Sequence, residues 1–220
     1  MKTVLIALVL LTGCGTGRRI NTQSDPFDVG PGSKNPLIHA SKGWNGKKVT
    51  IKLSSSAPQS LVYPIVAAVK SWNDAAEREI ITYGGISPLK RSGGQYSSLD
   101  DNQTVVYSEN NWGSVDGDSS TMAKTIWANN GANKKVIVAS DIIMNTRDYE
   151  FVDAGVVFDS KEKQYVDAEM VLLHEIGHLL GLGHNNDEDS IMYPSAPVGL
   201  GYYQRSLSQD DRDSIQSIYK

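Results

Sequence analysis

One stretch near the carboxyl-terminal end constrains this chain more than any other. Residues 171–194 read VLLHEIGHLLGLGHNNDEDSIMYP. Within eleven of these residues lie three of the chain's four histidines: His174, His178 and His184. Glu175 directly follows the first of them, and Gly181 stands three residues before the last. This spacing suits a helix that carries two histidines, followed by a turn that carries the third.

The first two histidines are four residues apart. Residues four apart on an α-helix lie on one face, about 6 Å apart along the axis, so His174 and His178 can bind one metal ion. Glycine adopts the left-handed conformation without a side-chain penalty. The helix is therefore predicted to end at Gly181 and to return His184 toward the same ion. Glu175, one step around the helix, would border the ion without binding it.

Three histidine nitrogens are typical of a catalytic zinc site, because a tetrahedral ion then keeps one open position. A water molecule in that position has its pKa lowered toward about 7. The alternative for each histidine is an ordinary surface or core residue whose hydrogen bonds are satisfied. The clustering disfavours this alternative for the three motif histidines, whereas it is the preferred interpretation for the isolated His39.

Length and composition limit the class of protein. The chain has 220 residues, of which 40% are hydrophobic, so it can bury one good core, and one domain is expected rather than two. Its net charge is −4, and it has no block of lysine or arginine. Nucleic acid is therefore not an expected partner. We also expect a monomer.

The amino terminus has the pattern of an export signal. Lys2 precedes an apolar run at residues 3–11, which is too short to span a bilayer but suits a signal-peptide core. The run ends in Leu-Thr-Gly-Cys at residues 11–14, which resembles the lipobox of bacterial lipoproteins. That resemblance implies removal of residues 1–13 and acylation of Cys14, with anchoring to the bacterial cell envelope at the outer membrane or cell surface. The alternative is an ordinary secreted protein.

The sequence between this cysteine and the first predicted strand is rich in Gly, Pro, Asn, Ser and Asp. Such a composition buries little apolar surface. Residues 14–46 are therefore predicted to be the lipidated cysteine and a flexible linker, and residues 47–220 the catalytic domain. Cys14 is the only cysteine, which excludes a disulfide within the chain.

Hydrophobic periodicity predicts the elements of that domain. Strands are expected at residues 49–53, 80–83, 104–108, 122–128 and 136–144, and an amphipathic helix at about 60–78. Residues 151–158 and 163–166 could pair as a hairpin. Asp167 is placed to cap the metal-binding helix, and Ser208 with Asp211 resembles a capping box at the start of the last helix.

Three segments together carry a family resemblance. The histidine motif at residues 174–184, followed by SIMYP at 190–194, is the signature of metzincins. With LSQDDRDSIQSIY at 207–219, the chain resembles matrixins, particularly their bacterial members, over about residues 45–220. The resemblance implies an α+β fold with a twisted, mostly parallel five-stranded sheet and an antiparallel edge strand. It also implies two long helices and a small C-terminal subdomain that ends in a helix.

The same resemblance implies roles for individual residues. The zinc ligands would be the three motif histidines: His174, His178 and His184. Glu175 would be the general base, and Met192 would form the apolar floor under the imidazoles. Asp210 would support the turn around Met192, or would simply complement the dipole of the last helix. The edge strand near residues 122–127 would pair with an extended peptide substrate.

The resemblance also points to a substrate pocket and to the expected ions. Met170 would be the floor of the S1′ pocket and Tyr202 or Tyr203 its wall, with burial in the core as the alternative for all three. One catalytic zinc ion is expected. No histidine lies between residues 97 and 128, so a second, structural zinc is not expected, and without a pro-segment cysteine we expect no cysteine switch. Calcium is a second candidate ion, with carboxylate ligands from among five acidic residues: Asp100, Asp101, Asp116, Asp118 and Asp153.

These features predict a zinc-dependent endopeptidase that hydrolyses peptide bonds of protein substrates with metal-activated water and Glu175 as the general base. The alternative is a surface lipoprotein that uses a metzincin fold for binding or assembly, with little or no proteolysis. Glu175 disfavours this alternative, because a protein without turnover has no chemical need for that carboxylate.

Overall fold

A computed structural model describes residues 7–8, 38–92, 95–96, 99, 101–116, 118–131, 133–153, 164–196, 198–199 and 204–220. The strands among them are β1 (Ala7–Leu8), β2 (Val49–Ser54), β3 (Ile81–Ser87), β4 (Thr104–Glu109), β5 (Ala123–Asn130), β6 (Asn133–Asn145), β7 (Tyr149–Val152) and β8 (Gln164–Asp167). The α-helices of this part of the chain are α1 (Val62–Ala75), α2 (Ala168–Leu180) and α3 (Gln209–Tyr219). None of these helices is long and apolar enough to cross a bilayer.

One mixed sheet contains six of the strands, in the order β1-β5-β6-β4-β2-β3. The strands β3, β2, β4 and β6 run parallel, and β5 is antiparallel to β6. Apart from the two-residue β1, this is the five-stranded, mostly parallel sheet with one antiparallel strand that the metzincin resemblance predicts. The predicted fold class is confirmed. β1 pairs antiparallel with the other side of β5, opposite Ile126 and Trp127.

The strand β3 extends further than the sequence pattern predicts, to Ser87 instead of residue 83. Hydrophobic alternation stops at Gly84, but the strand continues because its backbone pairs with β2 as far as Ser54. A Cβ atom on Gly84 would lie 2.4 Å from Cγ2 of Thr50. Glycine therefore permits a close approach of the two strands at this point.

The strands β7 and β8 form a separate two-stranded sheet, and they pair in parallel. The hairpin predicted over residues 151–158 and 163–166 is therefore wrong in direction, and its first strand begins earlier, at Tyr149. β8 continues directly into α2 at Ala168, so its direction depends on how that helix packs. Alternation along a strand carries no information about the direction of its partner.

The main hydrophobic core lies between the sheet and the pair of helices α1 and α2. Trp72 of α1 is fully buried, and its Nε1 donates a hydrogen bond of 2.8 Å to the carbonyl of Leu173 in α2. The helix predicted at about 60–78 forms as α1, preceded by a 3-10 turn at Gln59–Leu61. A second cluster around Tyr107 and Trp112 covers the opposite face of the sheet.

Residues 38–46, which we call the N-terminal strap, pack against the carboxyl-terminal end of α2. Ala40 is fully buried, and Ile38 forms an isolated β-bridge with Leu182. The strap falls within the stretch that composition predicts to be a linker, so the packed part of the chain begins before residue 47. The strap packs there because the last carbonyl groups of α2 need hydrogen-bond donors from outside the helix.

Candidate metal centre

The helix α2 begins and ends where the sequence predicts. The side chain of Asp167 caps it by accepting a hydrogen bond of 2.8 Å from the backbone N–H of Met170. The helix ends at Gly181, which has a φ of 115°. Two backbone hydrogen bonds of the Schellman type close the last turn. The chain then reverses and brings His184 back to the helix.

Side chains and backbone from other parts of the chain satisfy the carbonyls of that last turn. Three side chains donate at 2.9 Å each: Nε2 of His39 to the carbonyl of His178, Nε1 of Trp44 to that of Leu179, and the hydroxyl of Tyr219 to that of Leu180. The backbone N–H groups of His39 and Ala40 donate to the carbonyl of Gly181 at 3.0 and 3.2 Å. His39 also stacks on Trp127, with 4.2 Å between ring centroids. These contacts agree with the preferred interpretation of His39 as a structural residue.

The three motif histidines converge on one point. Each offers one ring nitrogen, and these nitrogens all lie within 4.8 Å of one another. The ring centroids are 4.5 to 5.4 Å apart, and all three residues are buried. A zinc ion binds histidine nitrogens at about 2.0–2.1 Å, so two nitrogens on one ion lie at most about 4.2 Å apart, and one ion could bind all three with at most a small shift of the rings.

The hydrogen bonds of the histidines favour a cation at this point. Nδ1 of His174 lies 2.7 Å from the carbonyl oxygen of Ile191, and Nδ1 of His178 lies 2.8 Å from that of Leu182. A carbonyl oxygen only accepts, so both Nδ1 atoms carry the proton and both Nε2 atoms present a lone pair. These two Nε2 atoms are 2.8 Å apart. Two lone pairs cannot share a hydrogen bond, but both can bind a metal ion.

The protonation of the histidines also suits metal binding. Burial lowers the pKa of His174 from 6.5 to about 4. Burial, together with the charge of the neighbouring histidines, lowers the pKa of His178 and His184 well below 6.5. The three imidazoles are therefore neutral at pH 7, and only neutral imidazole binds zinc.

Met192 lies beneath the metal helix. It is fully buried, and a Cβ atom on Gly177 of α2 would come within 2.4 Å of its sulfur. The turn that carries Met192 is tied to the segment after the third histidine, because the N–H of Asn185 donates to the Met192 carbonyl at 2.9 Å. The structure thus packs Met192 against α2 at Gly177, and its role as the floor under the imidazoles stays a prediction.

The support of this turn comes from Asp211 and not from Asp210. Asp211 accepts hydrogen bonds from the hydroxyl of Ser190 at 2.5 Å and from the N–H of Ile191 at 3.0 Å. It is fully buried and also completes the predicted capping box with Ser208. The assignment to Asp210 is wrong by one residue, because the rotation of α3 about its axis, which sequence does not reveal, decides which carboxylate faces the turn.

Glu175 is fully buried in α2 and adjoins His174 in the sequence. Its Oε2 accepts a hydrogen bond of 2.5 Å from the hydroxyl of Thr125 in β5, whereas its Oε1 is buried and has no hydrogen-bond partner among the described residues. Burial raises the pKa of Glu175 to about 8, partly offset by Thr125 and by the charge of Lys124. Thr125 is a site residue that the sequence reasoning missed, because nothing local marks a strand threonine as a partner of a helix glutamate.

A small pocket opens beside His174. Met170, the predicted pocket floor, is among its lining residues, and so are Ile191, Tyr193 and Ala196. Tyr202 and Tyr203, the predicted wall, lie outside the described residues. Tyr193 was not singled out from the sequence, although its position directly after Met192 was a signal that could have found it.

Basic side chains accompany three of the acidic residues considered for calcium. The ion pairs are Lys124 with Asp116 at 3.0 Å, Arg205 with Asp153 at 2.8 Å, and Arg91 with Asp101. Across the described ranges, the histidine triad is the one group of three or more His, Cys, Asp or Glu residues whose spacing could hold a metal. Cys14 and Asp100 lie outside those ranges, and calcium binding stays a prediction.

A mixed sheet, a helix with two inward histidines, a glycine turn with the third and a methionine turn below them define the metzincin class. The matrixin family model matches residues 87–220, more than half of the chain. The chain therefore belongs to the matrixin family.

Individual matrixins share shorter stretches with this chain. Metalloendoproteinase 1 of Glycine max is 46% identical over 72 residues, which are 33% of this chain and 23% of that protein. Metalloendoproteinase 2-MMP of Arabidopsis thaliana is 52% identical over 54 residues, 24% of this chain and 14% of that protein. Matrix metalloproteinase-25 of Homo sapiens is 48% identical over 64 residues, 28% of this chain and 11% of that protein. The chain thus matches less than a quarter of the length of each relative.

Proposed function

We propose that the protein is a zinc-dependent endopeptidase that hydrolyses peptide bonds of protein substrates. The observation that carries this proposal is the pair of Nε2 lone pairs of His174 and His178, 2.8 Å apart. The fully buried Glu175 adjoins His174 in the sequence. Membership of the matrixin family and the similarity to metalloendoproteinases support it.

In this proposal, His174, His178 and His184 hold the zinc ion. When bound, zinc lowers the pKa of a coordinated water and polarises the scissile carbonyl. Glu175 acts through Oε1, which accepts the proton of the attacking water and then delivers it to the leaving amine. Met192 supports the imidazoles from below, and the pocket lined by Met170 receives the side chain that follows the cleaved bond.

The strand β5 is the proposed site of substrate pairing. It is the antiparallel strand next to the centre, and an extended peptide could add to it by β-augmentation. In the full chain β1 pairs with it opposite Ile126 and Trp127. β1 lies within residues 1–13, which we propose are removed as a signal peptide, so their removal would free this edge for substrate.

We further propose that Cys14 is acylated and anchors the protein to the cell envelope. The support is the lipobox pattern at residues 11–14 and the absence of any other cysteine. Residues 15–37 would then connect the anchor to the packed domain. The variant Cys14→Ser is expected to leave the membrane fraction for the soluble fraction, and an unchanged distribution would refute the anchor.

The enzymatic proposal is tested with a library of quenched peptides, with and without a chelator. Wild type should cleave, the chelator should stop cleavage, and Glu175→Gln should keep stoichiometric zinc but lose hydrolysis by about 10²-fold or more. The matched control is Glu77→Gln, in an exposed acid just after the end of α1, which should keep wild-type activity. Stoichiometric zinc without cleavage of any peptide would instead favour the binding or assembly function.

A further inference from the structure

Thr125 lies in the strand β5 and contacts Glu175 of α2 twice. Its hydroxyl is 2.5 Å from Oε2 of the carboxylate and 3.0 Å from the backbone carbonyl of the same residue. Both residues are fully buried. A hydroxyl has one proton to donate, and the carboxylate oxygen Oε2 is the closer of the two acceptors, so the main bond of Thr125 is to the side chain of the residue that we propose as the general base.

The position of this hydroxyl is set by the sheet. β5 is paired with β6 on both sides of this residue, with Thr125 opposite Ile142, and the hydroxyl of Ser140 in β6 bonds to the carbonyl of Ile126 at 2.9 Å. A β-branched side chain also has few rotamers. Thr125 thus offers its hydroxyl from a rigid element, which is what the positioning of a reacting group requires.

The contact distinguishes the two carboxylate oxygens of Glu175. Oε2 is held by Thr125, and Oε1 is buried without a hydrogen-bond partner among the described residues. A hydrogen bond to one oxygen restricts rotation about the last side-chain bond of glutamate, which is otherwise broad. The direction of Oε1 is then determined.

The neighbouring lysine does not hold Glu175 in this way. Lys124 is buried, and its ammonium bonds to Asp116 at 3.0 Å and to the carbonyl of Val115 at 3.2 Å, on the opposite face of β5. Its charge acts on Glu175 over a longer distance. The hydrogen bond that orients the carboxylate therefore comes from Thr125.

We propose that Thr125 is a positioning residue of the hydrolytic reaction, whose hydroxyl holds Oε2 of Glu175 and directs Oε1 toward the attacking water. This inference rests on the proposed function, because it assumes that Glu175 is the base. Nothing in the histidine motif specifies it, since the residue lies on a different element 50 positions away in sequence.

The test compares Thr125→Val with Thr125→Ser in the zinc-loaded protein. Valine keeps the shape but removes the hydroxyl, so kcat should fall about tenfold or more while KM changes less than about twofold. Serine keeps the hydroxyl and should recover kcat to within about threefold of wild type. Zinc content and the thermal midpoint are measured for each variant, and rates are compared well below every midpoint.

A second arm uses Glu175→Gln as the background. If Thr125 acts through Glu175, then Thr125→Val should lower the residual rate of that variant by less than about twofold. The positioning role is overturned if Thr125→Val keeps the wild-type kcat, if Thr125→Ser is as slow as Thr125→Val, or if the losses simply multiply. Failure of the proposed function looks different, because wild type would then not cleave or Glu175→Gln would cleave normally, and the positioning role would fall with it.

Discussion

The sharpest structural prediction concerns Gly181, where α2 ends and the chain turns toward the third histidine. Its φ of 115° strains any residue with a side chain, and left-handed backbone costs about 1–2 kcal/mol for such residues. In Gly181→Ala the new Cβ would also lie 2.8 Å from the carbonyl oxygen of Ala40 in the N-terminal strap. That contact is with backbone, so the strap must move.

Movement of the strap has a second cost. The backbone N–H groups of His39 and Ala40 both donate to the carbonyl of Gly181, at 3.0 and 3.2 Å. Each such bond contributes about 1 kcal/mol. We therefore expect Gly181→Ala to lower the free energy of unfolding by about 3–4 kcal/mol. The displaced turn carries His184, so zinc affinity should also fall about 10–100-fold, as for other changes that disorient a ligand.

Gly85→Ala is the matched control. Gly85 also has a positive φ of 82°, but a Cβ atom there would meet nothing within 4 Å, so only the backbone cost of about 1–2 kcal/mol applies. Urea denaturation of the chelated proteins measures the stabilities, and competition with a chelator of known affinity measures zinc binding. The reasoning about the strap would be refuted if the two variants lost equal stability and both bound zinc like wild type.

Three further predictions follow from buried polar groups. Asp211→Asn should lower the free energy of unfolding by about 2–3 kcal/mol, because an amide donor would face groups that already donate. Asp210→Asn should change it by less than about 0.5 kcal/mol. Equal losses in urea denaturation would contradict the assignment to Asp211. Arg205→Met should lower the free energy of unfolding by about 1–3 kcal/mol, since Arg205 bonds to the buried carboxylate of Asp167. An unchanged urea midpoint would show that this ion pair does not stabilise the fold. Burial lowers the pKa of His39 from 6.5 to about 4, so the unfolded state takes up a proton at higher pH, and in the chelated protein the stability of wild type relative to His39→Gln should decrease as pH falls from about 6.5 toward about 4. Urea midpoints of both proteins at neutral pH and at about pH 5 test this, and an unchanged difference would disprove it.

Local patterns were sufficient to predict much of the site. The spacing of His174 and His178, the glycine stop at Gly181 and the caps at Asp167 and Ser208 depend on one or two helical turns, and the structure forms each as predicted. These features could be read in sequence because helix geometry alone relates residues three or four apart.

Contacts between distant segments could not be predicted in this way. Composition placed residues 38–46 in a linker, yet His39 and Trp44 donate to carbonyls of α2 more than 130 residues away. The parallel direction of β7 and β8 and the role of Asp211 instead of Asp210 likewise depend on how helices pack and rotate. Polar composition measures how little apolar surface a segment can bury, and it does not measure which donors a buried helix end requires.

The sequence by itself determined the metal-binding residue types, their helical spacing and the family. Only the tertiary structure decided which groups hold them: the strap behind α2, Asp211 beneath the turn of Met192, and Thr125 on one oxygen of Glu175. The physical reason is that ligand spacing is a property of one helix, whereas the orientation of buried polar groups depends on donors and acceptors that folding brings together from remote parts of the chain.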